Sequence, residues 1–480
     1  MTFESLMHMH GQVFVALKSI KPHFMTTIYF DKQVFSYLFS AKDEKYIRLR
    51  EKIASHKEDF IFCYSNAHLF DLQDDRTDIK FKEMEFMQSI VDGNRLIYED
   101  GRISLYNHKP NEVFNNVVTI GDLSWLDSID FSLFSKEDIN VINNITDLFQ
   151  KDNTNELDFD WLVTRIPVSD NKLQIDKEGF KSLVSFVSYN FYNNKNSYKT
   201  LRDKVISSYN PKGITADTVD VFNEQFAQSP LGISFIELIK NTLTQVGFQS
   251  HEPAIVHCLS YVLLDMFGVN KEPRKKVKFR NVQIDSYHSF FGSYCDCLVS
   301  DDEGVRTKSN ILYKLFNHDT QVLSIDEFIL KLDEAIANNK KSTRVYFDEI
   351  SNDYHTRKIL STEYQSEYTT TVLKTFHSYF GYFNGMFENK SNNTTIVILH
   401  KNTDIHVPLS VKEITIIVNR IANAFNSIGA SWPPFNPDVE WPLLQSDSWS
   451  RALVLDDAVL VLSKFKDIPM LEFLIKLKER

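Results

Sequence analysis

The sequence predicts an α/β protein in which a parallel sheet flanked by helices carries a mainly helical insertion and is followed by a C-terminal α/β region. Three observations predict it. Short apolar runs end in acidic or capping residues and give way at once to helical patterns, the order of a βα unit. Between 121 and 270 helical patterns dominate, as in GFKSLVSFVSYNFY and LGISFIELIKNTLTQVGF. After 271 strand and helix alternate again. A chain of 480 residues exceeds what one core serves. The expected division is one split domain (1–120 and 271–330), an insertion (121–270) and a C-terminal accessory domain (331–480).

The elements follow in order. Thr27-Ile28-Tyr29-Phe30 is short enough and apolar enough for a buried strand; it ends at Asp31, and a helix runs on through Phe35, Leu38 and Phe39. The charged stretch AKDEKYIRLREKIAS is a second helix, and Asp59–Tyr64 a second strand. Ser65 is a good N-cap for the helix NAHLFDLQ. In the second block Asp285 follows Asn281-Val282-Gln283-Ile284 and opens the helix SYHSFFGSYC; the strand CDCLVS, the helix VRTKSNILYKLF and the strand TQVLS come next. Beyond 331 the clearest elements are the strand TTIVILH, the amphipathic helix VKEITIIVNRIANAFNSI and the rigid turn SWPPFNP.

The composition bounds the function. No run of about 18 uncharged apolar residues is present, so no transmembrane helix is expected. The N-terminus lacks the pattern of a signal peptide, and a cytoplasmic protein is expected. Cys63, Cys258, Cys295 and Cys297 read as buried thiols, since one Cys-x-Cys pair without nearby ligands is no zinc signature. A net charge of −11 argues against a protein that coats nucleic acid non-specifically and leaves room for a local site.

The acids suggest where that site is. Asp31 and the pair Asp301-Asp302 follow apolar strands, at the sheet edge where ligands bind in open α/β folds. Asp71 lies two turns into the helix capped by Ser65, and Asp285 stands at a helix boundary. Carboxylates gathered this closely are costly unless a divalent cation neutralises them, and hard Mg²⁺ or Mn²⁺ suits all-oxygen ligands. Taken alone, each Asp is equally explained as a cap or turn residue.

Together these pieces resemble the PIN-domain nucleases in IYFDKQVFSYL, YSNAHLFDL and DSYHSFFGSYCDCLVSDD, over about 150 of the 480 residues in two blocks. The sequence departs from the family at Lys32-Gln33, where Thr-Asn is usual, at Asp71, where Glu is commoner, and in the length of the insertion. The resemblance implies a PIN-like parallel sheet and a metal-dependent endonuclease, with RNA favoured as substrate. Asp31, Asp71, Asp285 and Asp302 would be the catalytic acids and metal ligands. Ser300, Asp301, His288 and His68 would support them, the two histidines lying one helical turn from a candidate acid. The run KEPRKKVKFR supplies Lys271, Arg274, Lys275, Lys276, Lys278 and Arg280 as a grip on single-stranded RNA. The regions 121–270 and 331–480 would serve a protein partner or self-association. An extended protein of this kind would suit a bacterial defence or toxin-like system. Asp74, Asp75 and Asp78 read as a solvated face, Asp296 as a turn residue, and Trp432, Trp441 and Trp449 as core.

Overall fold

A computed structural model describes residues 25–117, parts of 168–245, 252–269, 278–365, 367–391, 394–401, 410–446, 449–455, 458–464 and 470–477. It is a mixed α/β structure with a four-stranded parallel sheet flanked by helices. The first block runs β1 (Thr27–Phe30), α1 (Lys32–Ser40), α2 (Glu44–His56), β2 (Ile61–Cys63), α3 (Asn66–Asp74), α4 (Ile79–Val91) and the hairpin β3 (Asn94–Glu99) and β4 (Arg102–Asn107). The described insertion helices are α5 (Phe222–Ala227), α6 (Phe235–Gln245) and α7 (Pro253–Met266). The second block is α8 (Phe279–Gly292), β5 (Cys297–Val299), α9 (Glu303–Leu315), β6 (Gln321–Leu323) and α10 (Ile325–Asn339).

The spatial order is β2-β1-β5-β6, all parallel, with Ile28 opposite both Phe62 and Cys297. A bridge between Tyr64 and Arg95 places the start of β3 beside the end of β2. Both faces of the sheet are covered, which is why its strands read as continuous apolar runs rather than alternating ones. Ile28, Phe30, Phe62, Cys297 and Val299 pack with α1, α2, α4 and α10. Tyr29, Ile61, Cys63 and Leu298 face the other way, toward α7, α8 and α9. Phe222, Phe226, Phe235, Tyr261 and Leu264 of the insertion belong to that second core. The insertion helices are therefore one of the layers that bury the sheet. Position 330 falls inside α10, whose Ile325, Phe328 and Leu332 pack in the first core.

The C-terminal region is α11 (Thr343–Thr356), β7 (Ile359–Tyr364), β8 (Tyr368–Leu373), β9 (Gly385–Ser391), β10 (Thr394–His400), α12 (Val411–Asn426), α13 (Pro437–Gln445), β11 (Ser450–Val454), β12 (Ala458–Lys464) and β13 (Leu471–Leu477). Its strands form an antiparallel sheet of order β11-β12-β13-β10-β9-β8-β7. One face packs on α11 and α12 through Tyr346, Ile417, Ile421, Phe425, Leu399 and Phe473. Trp432 and Trp449 are buried in this core and Trp441 packs against it, as expected. All four cysteines are free; three are buried and Cys258 is half-buried. No described helix is long and apolar enough to cross a membrane.

Candidate functional site

The chain leaves β1 toward β2 and leaves β5 toward β6, so the carboxyl ends of the neighbouring strands β1 and β5 form a topological switch point, where a crevice opens in α/β sheets. Asp31 follows β1 immediately, and Ser300, Asp301 and Asp302 follow β5. The Asp31 amide donates to Val299 O at 2.9 Å, so the two strand ends stay paired up to the first acid. The Asp31 carboxylate accepts the Ser300 hydroxyl at 2.6 Å and the Gln33 amide at 3.0 Å. The same Ser300 Oγ accepts the Asp302 amide at 3.1 Å. Asp302 caps α9 by accepting from the amides of Gly304 (2.7 Å) and Val305 (3.1 Å). One hydroxyl thereby ties the first acid to the fourth.

Helices α3 and α8 bring the other two acids to the same place. His288 Nε2 meets Asp71 Oδ2 at 2.9 Å, and its Nδ1 meets the Tyr29 hydroxyl at 3.0 Å, which lies 2.7 Å from Ser65 Oγ. Burial alone would lower the His288 pKa, but the hydrogen bond and charge of Asp71, with the charges of Asp31 and Asp285, hold it above its usual value. A protonated His288 donates through both nitrogens, leaving the Tyr29 hydroxyl to donate to Ser65. His68 behaves differently. Its Nδ1 accepts the Ser65 amide at 3.1 Å, so its Nε2 carries the proton and donates to Phe30 O at 2.7 Å. Burial, reinforced by the nearby His288, holds His68 well below its usual pKa as a neutral ring completing the capping box of α3.

Electrostatics show that the four carboxylates share one neighbourhood. Burial first, and then the charges of Asp31, Asp302 and Asp71, hold the Asp285 carboxyl well above the usual range against the opposing pull of Lys308. Burial also raises Asp31, with the Asp71 charge adding to it and His288, Ser300 and Gln33 opposing. Asp285 accepts no hydrogen bond from a described residue. Beside it, the fully buried Tyr261 hydroxyl of α7 has no partner, and its ionisation is opposed by burial and by the charges of Asp285, Asp265, Asp302 and Asp31.

Among the described residues no three His, Cys, Asp or Glu side chains are grouped tightly enough to enclose a metal ion directly. The donor chemistry nonetheless fits a hydrated hard cation. Mg²⁺ dehydrates reluctantly and is typically held through one or two carboxylates with waters completing its shell. An unpartnered buried hydroxyl at Tyr261 and an unbonded carboxylate at Asp285 are groups that such waters would satisfy.

Several sequence expectations need correction. Asp285 does not open its helix: α8 begins at Phe279, and Val282, Ser286 and Ser289 lie on its buried face. The alternation in Asn281–Ile284 was too short to separate a strand approach from a helix turn. Asp301 does not support the acids; its Oδ1 accepts the Ile325 amide at 3.1 Å and caps α10. Lys271, Arg274, Lys275 and Lys276 lie outside the described residues. Of the remaining basic residues, Arg280 pairs with Asp74 at 2.6 Å at the exposed end of α3; burial raises the Asp74 pKa, and the charges of Arg280 and Lys278 oppose that rise. Lys32 turns away from Asp31 to pair with Glu83 at 3.1 Å, so the support of Asp31 comes instead from Ser300 and the Gln33 amide. Asp75 binds Thr77 in an exposed turn, and Asp296 accepts the amides of Thr26 and Thr27 as a structural residue.

Tyr29, Tyr261, Lys308 and Asp265 were missed. A signal existed for two of them. Lys308 interrupts the apolar stripe Val305–Leu312 of α9, and Asp265 is the one acid inside PAIVHCLSYVLLDM. A charge within an apolar helical face is buried only when paired.

No protein-family model matches the chain, and no curated protein or solved structure matches it.

Proposed function

We propose that the chain is a metal-dependent endonuclease of PIN-like architecture that cleaves phosphodiester bonds, with single-stranded RNA the favoured substrate. What supports this reading is that Ser300 joins Asp31 to Asp302 at the switch point of a parallel sheet, with Asp71 and Asp285 near enough for the acids to act on one another's charge. Bound Mg²⁺ or Mn²⁺ would supply activation of water and stabilisation of charge in an in-line displacement. The chain's own residues do the rest. Ser300 fixes the orientation of Asp31 and the start of α9, and His288 fixes Asp71 from the opposite side. Lys278 and Arg280 at the start of α8 would grip the strand's phosphates; Arg280 pairs with Asp74, which follows Asp71 on α3.

Purified protein with Mn²⁺ should cut labelled single-stranded RNA or DNA, and Asp31→Asn or Asp302→Asn should abolish the cutting. Equal cutting by both variants and wild type would assign the activity to a contaminant and end this reading. The absence of three closely grouped ligands among the described residues favours one alternative, a PIN-like scaffold that binds RNA or protein without cleaving. Retention of the labelled strand with no product in either Mg²⁺ or Mn²⁺ would select it.

A further inference from the structure

The insertion brings its own buried charges against the acid cluster. Lys308 of α9 is 5% exposed, Asp265 of α7 6% and Arg202 2%. One Asp265 oxygen accepts Lys308 Nζ at 2.8 Å; the other accepts the Tyr198 hydroxyl at 2.7 Å and Arg202 at 3.3 Å. Two buried cations thus meet one buried carboxylate, and the Arg202 Nε has no hydrogen-bond partner among the described residues. A lone charge in an interior is strongly destabilising, so Lys308 and Arg202 both depend on Asp265.

Lys308 is the foremost cation acting on Asp285. It also flanks Asp302: a Cβ added at Gly304 would lie 3.0 Å from Asp302 Oδ1 and 3.9 Å from Lys308 Nζ. Tyr261 lies between the two groups, with the Lys308 ammonium 4.8 Å from its ring centroid and its unpartnered hydroxyl among the acids.

We propose that Lys308, held by Asp265 of the insertion, is the internal counter-cation of the carboxylate cluster and limits how tightly that cluster holds a divalent cation. The proposal rests on reading the cluster as a metal site, and it makes the insertion part of that site. A divalent ion carries twice the charge of a proton, so it is repelled by Lys308 about twice as strongly as a proton on Asp285 is. Removing the ammonium therefore favours the metal even though Asp285 also gains affinity for its proton. Neutralising Asp265 does the opposite, because it leaves the Lys308 ammonium without its carboxylate on the side away from the acids. The two halves of one ion pair must shift metal affinity in opposite directions. Mere loss of packing would shift both the same way.

The test is a Mn²⁺ titration of the full chain, with the free ion followed by electron paramagnetic resonance. Lys308→Met should tighten binding about ten-fold and Asp265→Asn should weaken it by a similar factor, while Lys308→Arg stays within about two-fold of wild type. Shifts of the same sign, or no shift, in folded Lys308→Met and Asp265→Asn overturn the proposal. Should either variant fail to fold, Arg202→Gln decides: a smaller tightening supports the proposal, and weakening or no change overturns it. A wild-type chain that binds no Mn²⁺ overturns the metal-site reading itself, and this proposal with it.

Discussion

At Asp285, burial and the charges of three other acids hold the carboxyl well above its usual range. The native state therefore binds this proton more tightly than the unfolded chain, whose Asp side chains titrate near about 3.9. Stability linked to the group is present below that value and is lost as pH rises through the native pKa. Asp285→Asn removes this loss, so in chelator its urea midpoint should gain on wild type steadily as pH is raised above about 4. Excess Mn²⁺ should narrow or reverse the difference, because a ligand that binds the native wild-type site stabilises it by mass action. A gap that stays flat with pH would contradict this account of Asp285. His288 carries the same sign. The His288 pKa is raised in the native state, so its contribution is complete below about 6.5 and fades as pH rises through the raised value. Ser300 belongs to this scale as well. Its hydroxyl orients Asp31, and loss of such a supporting contact typically costs about 10–100-fold in activity. Ser300→Ala should lower the cleavage rate by that factor and also lower the urea midpoint, since it leaves the buried Asp31 carboxylate and the Asp302 amide without this partner.

Helix α3 carries Asp71 at the position set by its cap. Ser65 accepts the Ala67 amide at 3.2 Å, and His68 returns a contact to the Ser65 amide. The same Ser65 oxygen is the partner of the Tyr29 hydroxyl beneath His288. Ser65→Ala should therefore cost more than an ordinary cap, about 2 kcal/mol by urea unfolding, since it also leaves a buried hydroxyl unpaired. On α9, Gly304 occupies the first turn although glycine lowers helix stability by about 1 kcal/mol relative to alanine. A methyl group there would stand 3.0 Å from Asp302 Oδ1, so the small residue leaves the capping carboxylate its geometry. Gly304→Ala should hold or slightly raise thermal stability while weakening Mn²⁺ binding; unchanged binding would remove this explanation of the glycine.

The C-terminal unit grips the end of the parallel sheet opposite the acids. Thr26 Oγ1 donates to Gly381 O at 3.0 Å, and Arg420 donates to both Phe380 O (2.8 Å) and Asp59 O (3.0 Å). Lys401 lies 3.5 Å from Asp296 and 3.6 Å from Glu413, joining the start of β5 to α12. Gly381 has φ +63°, and a side chain there would overlap the Arg420 guanidinium. Gly381→Val should therefore strain the backbone by about 1–3 kcal/mol and displace Arg420. Faster amide exchange at Thr26 and Thr27, with α12 still protected, is the expected sign of a loosened junction. Protection retained at both threonines would show that the contact does not hold the two units together.

The apolar runs of β1, β2 and β5, the cap at Ser65 and the order of the acids are local properties, and the sequence by itself determined them. So were the α12 and β10 patterns, because burial on one face imprints periodicity on consecutive residues. The start of α8 was not legible in the same way, since Val282 and Ile284 sit in a window too short to separate the two periods. The partners of the acids depend on residues far apart in the chain. Ser300 binds Asp31, His288 binds Asp71, and Asp265 of the insertion binds Lys308, across separations that no local pattern records. Only the tertiary structure decided that Asp301 caps a neighbouring helix, and that the insertion is a layer of the fold. Strand order and helix packing set these distances, and both arise from burying the two faces of one sheet at once.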